Sequence, residues 1–410
     1  MKRVIFVDDE PNVLRALRRV LRGVAAEWSV TFVASGQEAL TLLEREPYDA
    51  LVTDFMMPGM DGGQLLRRAF ALQPGLVRIM LTGNAPPEQM ARIEGLVHRM
   101  LAKPCSPERI HGSVELACDA LDRLADPHLR AMVAGTASLV ADTSELERLQ
   151  TAVGAEPASI ADAAMALERD PSLASKALKL VHAGFFGGEG PADAGRPVPA
   201  PTAAFGAESH SLRPGDSAIR VPGVAAGLLG QQTLAAMSDA PHFVDGGSPE
   251  MNEAFDVAQE ASRARARRHW AERVAGERGL PESRVKAVGL AAMLLNVGGL
   301  LLARAQPDLW RRRTTAVLQA RAAAEPDEQW QAQIEAERRV LGASVPEIGA
   351  ALLGSWGLPS AVVAGVRDAA TESPGSLSEI VARASQAIDA EAAGVGEAEA
   401  GPDAAQSRSA

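Results

Sequence analysis

The stretch Asp49-Ala-Leu-Val-Thr-Asp54-Phe-Met-Met-Pro-Gly-Met-Asp-Gly62 is a short apolar run that ends on a carboxylate and is followed by a turn. A continuous apolar run of this length is typical of a parallel strand that is buried on both faces. Open α/β sheets place their chemistry at the carboxyl ends of such strands. Asp54 therefore stands where a reactive carboxylate is expected.

The first third of the chain alternates apolar runs with amphipathic segments. The predicted strands are Arg3–Val7, Trp28–Val33, Ala50–Thr53, Val77–Leu81 and His98–Ala102. Helices are predicted over Pro11–Arg22, over Ser35–Arg45 with a capping box from Ser35 to Glu38, over Gly63–Ala71, from near Pro87, and over Pro107–Leu124. Regular alternation of this kind predicts an α/β fold with a parallel sheet covered by helices on both faces.

Polar side chains follow the apolar runs at the strand ends. Asp8 and Asp9 end the first run, Thr82 the fourth and Lys103 the fifth. With Asp54 they predict a metal-assisted phosphoryl-acceptor site, in which the three carboxylates share one Mg²⁺. Asp54 would be the nucleophile, Lys103 would place its charge on a phosphoryl oxygen, and Thr82 would donate its hydroxyl to another.

Residues 1 to 124 resemble the receiver domain of response regulators in two-component signalling. The motifs that carry the resemblance are Val7-Asp8-Asp9-Glu10, Thr53-Asp54-Phe-Met-Met-Pro58-Gly-Met-Asp61-Gly62, Leu81-Thr82-Gly83 and Lys103-Pro104. The resemblance implies a flavodoxin-like, doubly wound five-stranded sheet of order 2-1-3-4-5. It also implies that Asp54 takes phosphate, with Mg²⁺, from a sensor histidine kinase or a phosphotransfer protein. Met100 stands where the family usually has an aromatic switch residue, which leaves the coupling from Thr82 to the output face open.

From about Pro127 the strand signal ends and helical spacing continues, which predicts an all-helical output domain over residues 125–390. Several segments resemble HDOD domains, the helical relatives of HD phosphohydrolases. They are Leu167 to Val181, Ile219 to Gly230, Gly289 to Gly298 and Gly349 to Pro359. Residues 184–222 are rich in Gly and Pro and are predicted to be a mobile insertion, and residues 391–410 a disordered tail.

The residues of the output domain indicate its function less specifically than those of the receiver do. HD enzymes hold a metal through an adjacent His-Asp pair, and this chain has Leu295-Asn296 there. A non-catalytic output that acts through a protein partner is therefore predicted. Two alternatives stay open: a diverged HD-type phosphohydrolase or cyclic-dinucleotide phosphodiesterase, and nucleic-acid or nucleotide binding through the basic runs Arg263–Arg268 and Arg311–Arg313.

Composition limits the setting of the protein. The 410 residues include only two cysteines, which favours a reducing cytoplasm, and the net charge of -11 argues against non-specific nucleic-acid binding. The uncharged segment Ala287 to Ala303 is interrupted by Asn296 and two glycines, so a buried helix and turn is predicted there, and no membrane contact. The downstream partner and the oligomeric state, including a homodimer, stay open.

Overall fold

The computed structural model describes residues 1–24, 27–83, 93, 95–136, 139–182, 222–239, 249–371 and 376–392. The start of the helix predicted from near Pro87 lies outside these residues. So do nearly all of the predicted insertion 184–222 and of the predicted tail 391–410. At their edges, Pro222 begins a helix, and Glu391 and Ala392 end one, so these residues belong to the helical fold.

A five-stranded parallel sheet forms the amino-terminal part of the molecule. Its strands are β1 (Lys2–Val7), β2 (Trp28–Val33), β3 (Ala50–Asp54), β4 (Val77–Thr82) and β5 (Arg99–Ala102). They lie in the order β2-β1-β3-β4-β5, which confirms the predicted α/β class and strand order. The central strands are apolar because helices cover both faces, and Ile5, Leu51 and Ile79 have no exposed surface.

Helices pack on this sheet. They are α1 (Pro11–Val24), α2 (Gly36–Arg45), α3 (Gly62–Leu72) and α4 (Pro107–Asp122). The predicted capping box at Ser35 is only half right. The Ser35 hydroxyl accepts the Glu38 N–H, but the Glu38 carboxylate accepts the N–H of Ala34 rather than that of Ser35.

The described remainder of the chain is helical. It comprises α5 (Pro127–Gly135), α6 (Thr143–Gly154), α7 (Ile160–Arg169), α8 (Pro171–His182), α9 (Pro222–Ser238), α10 (Pro249–Ala254), α11 (Val257–Glu277), α12 (Glu282–Met293), α13 (Val297–Ala305), α14 (Pro307–Ala323), a short 3₁₀ turn (Pro326–Glu328), α15 (Gln329–Leu341), α16 (Val345–Ser355), α17 (Ser360–Asp368) and α18 (Leu377–Ala392). Gly230 kinks α9 with a φ of 70°.

The apolar stretch over α12 and α13 is a core element. By length and composition alone, Glu282–Ala305 could cross a membrane, but 83% of its most apolar window is buried inside the fold. Asn296 separates the two helices, as the predicted helix and turn requires. A buried core helix passes the same test of length and composition, and the burial favours that interpretation.

The sheet region and the helical region pack against each other through α4 and α16. Gly354 near the end of α16 faces Ala120 of α4 so closely that a Cβ at Gly354 would lie 2.9 Å from the Ala120 Cβ. Buried residues of both regions belong to one continuous apolar core. The helical region is thus seated directly on one face of the sheet region.

Candidate functional site

The strand register brings two carboxylates together at the carboxyl edge of the sheet. Val7 of β1 is paired with Thr53 of β3, so Asp8 and Asp54 follow side by side. Both side chains are largely buried, with 4% of the Asp8 and 12% of the Asp54 side chain exposed. Two neighbouring carboxylates with so little access to water repel each other strongly. A cation between them offsets that repulsion.

Lys103 supplies that cation. It follows β5, and its Nζ lies 2.8 Å from Asp8 Oδ2 and 2.6 Å from Asp54 Oδ1. Burial alone would lower the pKa of Lys103. The hydrogen bonds and charges of Asp54 and Asp8 outweigh that effect, so the pKa is raised above its ordinary value. Lys103 is therefore an ammonium at neutral pH, and it bridges the two acids.

Backbone N–H groups fix the remaining oxygens of both acids. Asp8 Oδ1 accepts the N–H of Glu10 at 3.0 Å, and Asp54 Oδ2 accepts the N–H of Met56 at 2.8 Å. The loop after β3 is held by Gly62, since a Cβ there would lie 2.2 Å from the Asp54 carbonyl oxygen. Sequence reasoning missed the Met56 donor because it is a backbone group, and the tight turn at Gly62 was its only signal.

Thr82 lies at the same edge, and Asp9 is placed differently. Leu81 is paired with Asp54, so Thr82 stands one residue beyond it; Thr82 is 2% exposed, and its carbonyl accepts the Lys103 N–H at 2.7 Å. Asp9 is half-buried in the loop after β1. The described residues hold no group of three or more His, Cys, Asp or Glu side chains arranged for a metal. In this arrangement Lys103 neutralises Asp8 and Asp54, and the three-carboxylate set stays a prediction.

Met100 occupies the interior of β5. It is paired with Met80 of β4 and is 2% exposed, so its flexible side chain fills core space. The lysine that follows β5 is joined to the next residue by a cis peptide bond to Pro104. The position where an aromatic residue was expected by resemblance is therefore a buried packing position.

The segment where HD enzymes hold a metal is tightly packed here. Leu295 is 3% exposed, and a Cβ at Gly299 would lie 2.5 Å from the Asn296 Oδ1. A Cβ at Gly298 would lie 2.3 Å from the Val345 carbonyl oxygen. This segment therefore forms the close contact between α13 and α16.

Both basic runs are engaged in contacts within the chain. Arg267 is 4% exposed, pairs with Glu260 and donates to the Ala292 carbonyl. Five arginines of the two runs are thus paired with carboxylates, on their own helix or on another. The other pairs are Arg265 with Glu145, Arg268 with Glu272, Arg311 with Asp308, and Arg313 with Glu337.

Comparison with known proteins agrees with this geometry. The family model described as Response regulator receiver domain matches residues 4–115. The response regulator receiver protein CpdR of Brucella abortus (strain 2308) is 38% identical over 85 residues, which cover 21% of this chain and 69% of CpdR. The chain belongs to the response regulator receiver family. The receiver is followed by a second match, to the family model described as HDOD domain, over residues 218–371.

Longer relatives match this chain over part of their length. The transcriptional regulatory protein GlrR of Escherichia coli (strain K12) is 30% identical over 147 residues, which cover 36% of this chain and 33% of GlrR. The chain thus spans about a third of the length of that relative. Among solved structures, the CheY-like response regulator receiver domain protein of Methanospirillum hungatei JF-1 is 28% identical, with a TM-score of 0.28, over 29% of this chain and 94% of that one.

Proposed function

We propose that this response regulator accepts a phosphoryl group on Asp54 from a sensor histidine kinase or a phosphotransfer protein. Residues 1–124 would form the receiver, and residues 125–390 the HDOD-like output domain. The observation that carries the proposal is the Lys103 ammonium held between Asp8 and Asp54 at the carboxyl edge of a parallel sheet. That is where open α/β sheets bind their ligands.

The chain's own groups suit phosphoryl transfer. An Asp54 oxygen would bond to phosphorus while the bond from phosphorus to the donor's imidazole nitrogen breaks, giving an acyl phosphate and a free histidine. The Met56 N–H holds Asp54 Oδ2, which leaves the other oxygen and its Lys103 partner to meet the phosphoryl group. Lys103 would then place its charge on a phosphoryl oxygen, and Thr82 would donate its hydroxyl to another.

The carboxylate oxygens at this edge are the type of ligand that a hard divalent cation binds. Asp8 and Asp54 offer oxygen ligands of the type that Mg²⁺ prefers, and we propose that Asp9 completes the set when the metal binds. When bound, Mg²⁺ supplies positive charge that offsets the repulsion between the carboxylates and the incoming phosphoryl oxygens. In the present arrangement the Lys103 ammonium performs that neutralisation between Asp8 and Asp54.

For the output, we propose a changed contact with a downstream protein rather than a reaction. The support is that Leu295, which is 3% exposed, and Asn296 stand where an HD enzyme holds its metal ligands, directly before the close contact of Gly298 with α16. The pairing of five of the seven arginines in the basic runs with neighbouring carboxylates gives no support to nucleic-acid binding.

Incubation with acetyl phosphate and Mg²⁺ tests the phosphorylation. The wild-type chain should gain one phosphoryl group by intact mass, and Asp54→Ala should gain none. Asp61→Ala is a matched control, because Asp61 lies in the same loop but caps α3 by accepting the Gln64 N–H. Labelling that persists in Asp54→Ala would refute the assignment.

A further inference from the structure

Arg99 joins the receiver to the helical region. It begins β5, and its guanidinium donates to the carbonyls of Gly354 at 2.7 Å and Ser355 at 3.3 Å, which are the last residues of α16. It also packs on the backbone of Gly357, where a Cβ would lie 3.2 Å from the Arg99 Cζ. Burial lowers the pKa of Arg99 to about 10, which leaves the side chain charged at neutral pH.

This contact places a positive charge at the negative end of a helix. The carbonyls at a helix carboxyl terminus have no partner within the helix, and a cation there stabilises the helix dipole. The opposite end of α16 is held by a carboxylate, since fully buried Glu337 accepts the N–H of Val345 at 2.8 Å. α16 is therefore held by opposite charges, and the charge at its carboxyl end comes from the receiver.

α16 also reaches the segment that replaces the HD metal site. The amide of Gly349 in its middle would lie 2.8 Å from a Cβ at Gly298, and the carbonyl of Val345 in its first turn would lie closer still. With 11 residues, α16 is about 16 Å long. One helix thus contacts the receiver at its carboxyl end, and the segment around Gly298 in its first turn and middle.

β5 connects Arg99 to the acidic edge. Arg99 is the first residue of this four-residue strand, and Lys103 follows its last residue, Ala102. A strand rises about 3.3 Å per residue, so the two cations lie at opposite ends of a short, stiff segment. A phosphoryl group on Asp54 would add almost two negative charges beside Lys103, and the pull on that cation would be passed along β5 to Arg99.

We propose that Arg99 is the coupling residue between receiver and output: phosphorylation of Asp54 withdraws it from the end of α16 and loosens the last turn of that helix. The inference rests on the proposed phosphorylation and adds the path by which it reaches the helical region. Met100 needs no part in this path, because the neighbouring residue Arg99 makes the contact across the interface.

Hydrogen exchange of the full-length chain, followed by mass spectrometry, tests the coupling. The reporters are the N–H groups of Trp356, Gly357 and Leu358, which bond to carbonyls of Leu352, Gly354 and Leu353. In unphosphorylated Arg99→Met, these amides should exchange about tenfold faster than in wild type, as expected for the loss of a charge-assisted hydrogen bond. Arg68→Met, which changes an exposed arginine on α3, is the matched control and should exchange like wild type.

Wild type treated with acetyl phosphate and Mg²⁺ should approach the exchange of Arg99→Met, with the phosphoryl group verified by intact mass. Phosphorylated wild type whose α16 amides exchange at the unphosphorylated rate, or more slowly, overturns the coupling. Failure to take up the phosphoryl group overturns the proposed function, while unchanged exchange in Arg99→Met separately overturns the role of Arg99. Should Arg99→Met not fold, Arg99→Lys tests the same contact, because lysine keeps the charge but lacks the planar fork that donates to both carbonyls. Faster exchange there supports the proposal, and wild-type exchange counts against it.

Discussion

At the scale of single residues, Lys103 decides the charge balance of the acidic edge. Asp8 and Asp54 lie on neighbouring strands with little access to water, and one ammonium serves both. A carboxylate pair that loses its cation is left with mutual repulsion and poor solvation. The lysine therefore contributes to the stability of the unphosphorylated receiver as well as to its proposed chemistry.

Replacing Lys103 with Met should lower the free energy of unfolding by about 1–3 kcal/mol, because two partly buried carboxylates lose a charged partner. Mg²⁺ should restore more stability to Lys103→Met than it adds to wild type, since a divalent cation can replace the missing ammonium. Urea unfolding with and without MgCl₂ measures both effects. Lys286→Met, which removes an exposed cation paired with Glu282 within α12, should change stability little and show no such Mg²⁺ dependence.

A second residue, Asp170, gives the fold a pH dependence. It is 1% exposed and accepts the N–H groups of Leu173 at 2.8 Å and Asp142 at 2.9 Å. Burial raises the pKa of Asp170 to about 6, against the lowering effect of these hydrogen bonds. The folded state thus binds the proton more tightly than the unfolded state, so this group's contribution to stability falls as pH rises from about 4 to 6.

Over that window the contribution should fall by roughly 2 kcal/mol in wild type, and Asp170→Asn should remove this fall while keeping one acceptor for the Leu173 N–H. Urea unfolding at several pH values gives the difference between the two proteins. Asp256→Asn, at an exposed helix cap that accepts the Gln259 N–H, is the control. If the free energies of unfolding of wild type and Asp170→Asn change in parallel from pH 4 to 6, this account is contradicted.

Single residues were predictable from sequence where they end an apolar run. Asp8, Asp54 and Lys103 were found in this way, and the structure brings them together. Asp9 was expected in the same set because it adjoins Asp8, and its place there stays a prediction. The role of Arg99 was not predicted, because its partner Gly354 is 255 residues away in the chain and no local sequence pattern indicates that contact.

At the scale of elements, helix and strand positions follow local rules. Strand ends agree with prediction to within one residue, since apolar runs stop where the sheet meets water. α16 begins with a complete capping box between Ser344 and Glu347, which reinforces its amino end. What sequence did not reveal is how closely α13 and α16 approach, because Gly298 and Gly349 make room for one another only in the folded chain.

Gly298→Ala should lower the free energy of unfolding by about 1–3 kcal/mol, because its Cβ would overlap the backbone of α16 at Val345 and Gly349. Gly276→Ala is the matched control, since a Cβ there meets nothing within 4 Å. That control should raise the free energy of unfolding by about 0.5–1 kcal/mol through helix propensity. Chemical denaturation of both variants decides the matter, and equal stabilisation by the two substitutions would show that the helices are not tightly packed.

At the scale of the whole molecule, the receiver and the helical region act on each other through a packed interface. α4 rests on α16, and Arg99 adds a charged contact beside it. The order of strands and the change to an all-helical pattern near Pro127 were readable from sequence. The seating of one region on the other was not, because it depends on pairs of residues far apart in the chain.

The two regions should therefore unfold together. In rising urea, hydrogen exchange of receiver peptides around Trp28 and of helical peptides around Trp330 should give coincident transitions in wild type. Gly354→Val should separate the two transitions, because the new side chain would force α4 and α16 apart at Ala120. Gly154→Val, at a position where a Cβ meets nothing within 4 Å, should leave the transitions coincident. Separate transitions already in wild type would show that the interface contributes little.

The most direct test of the central claim is to locate the phosphoryl group. Borohydride reduces an aspartyl phosphate to homoserine, so the wild-type chain treated with acetyl phosphate and Mg²⁺ and then reduced should carry that change at residue 54 in its peptide map. Asp54→Asn treated in the same way should carry no such change at any residue. A modified residue other than 54 in wild type, or phosphoryl uptake that survives in Asp54→Asn, would contradict the account.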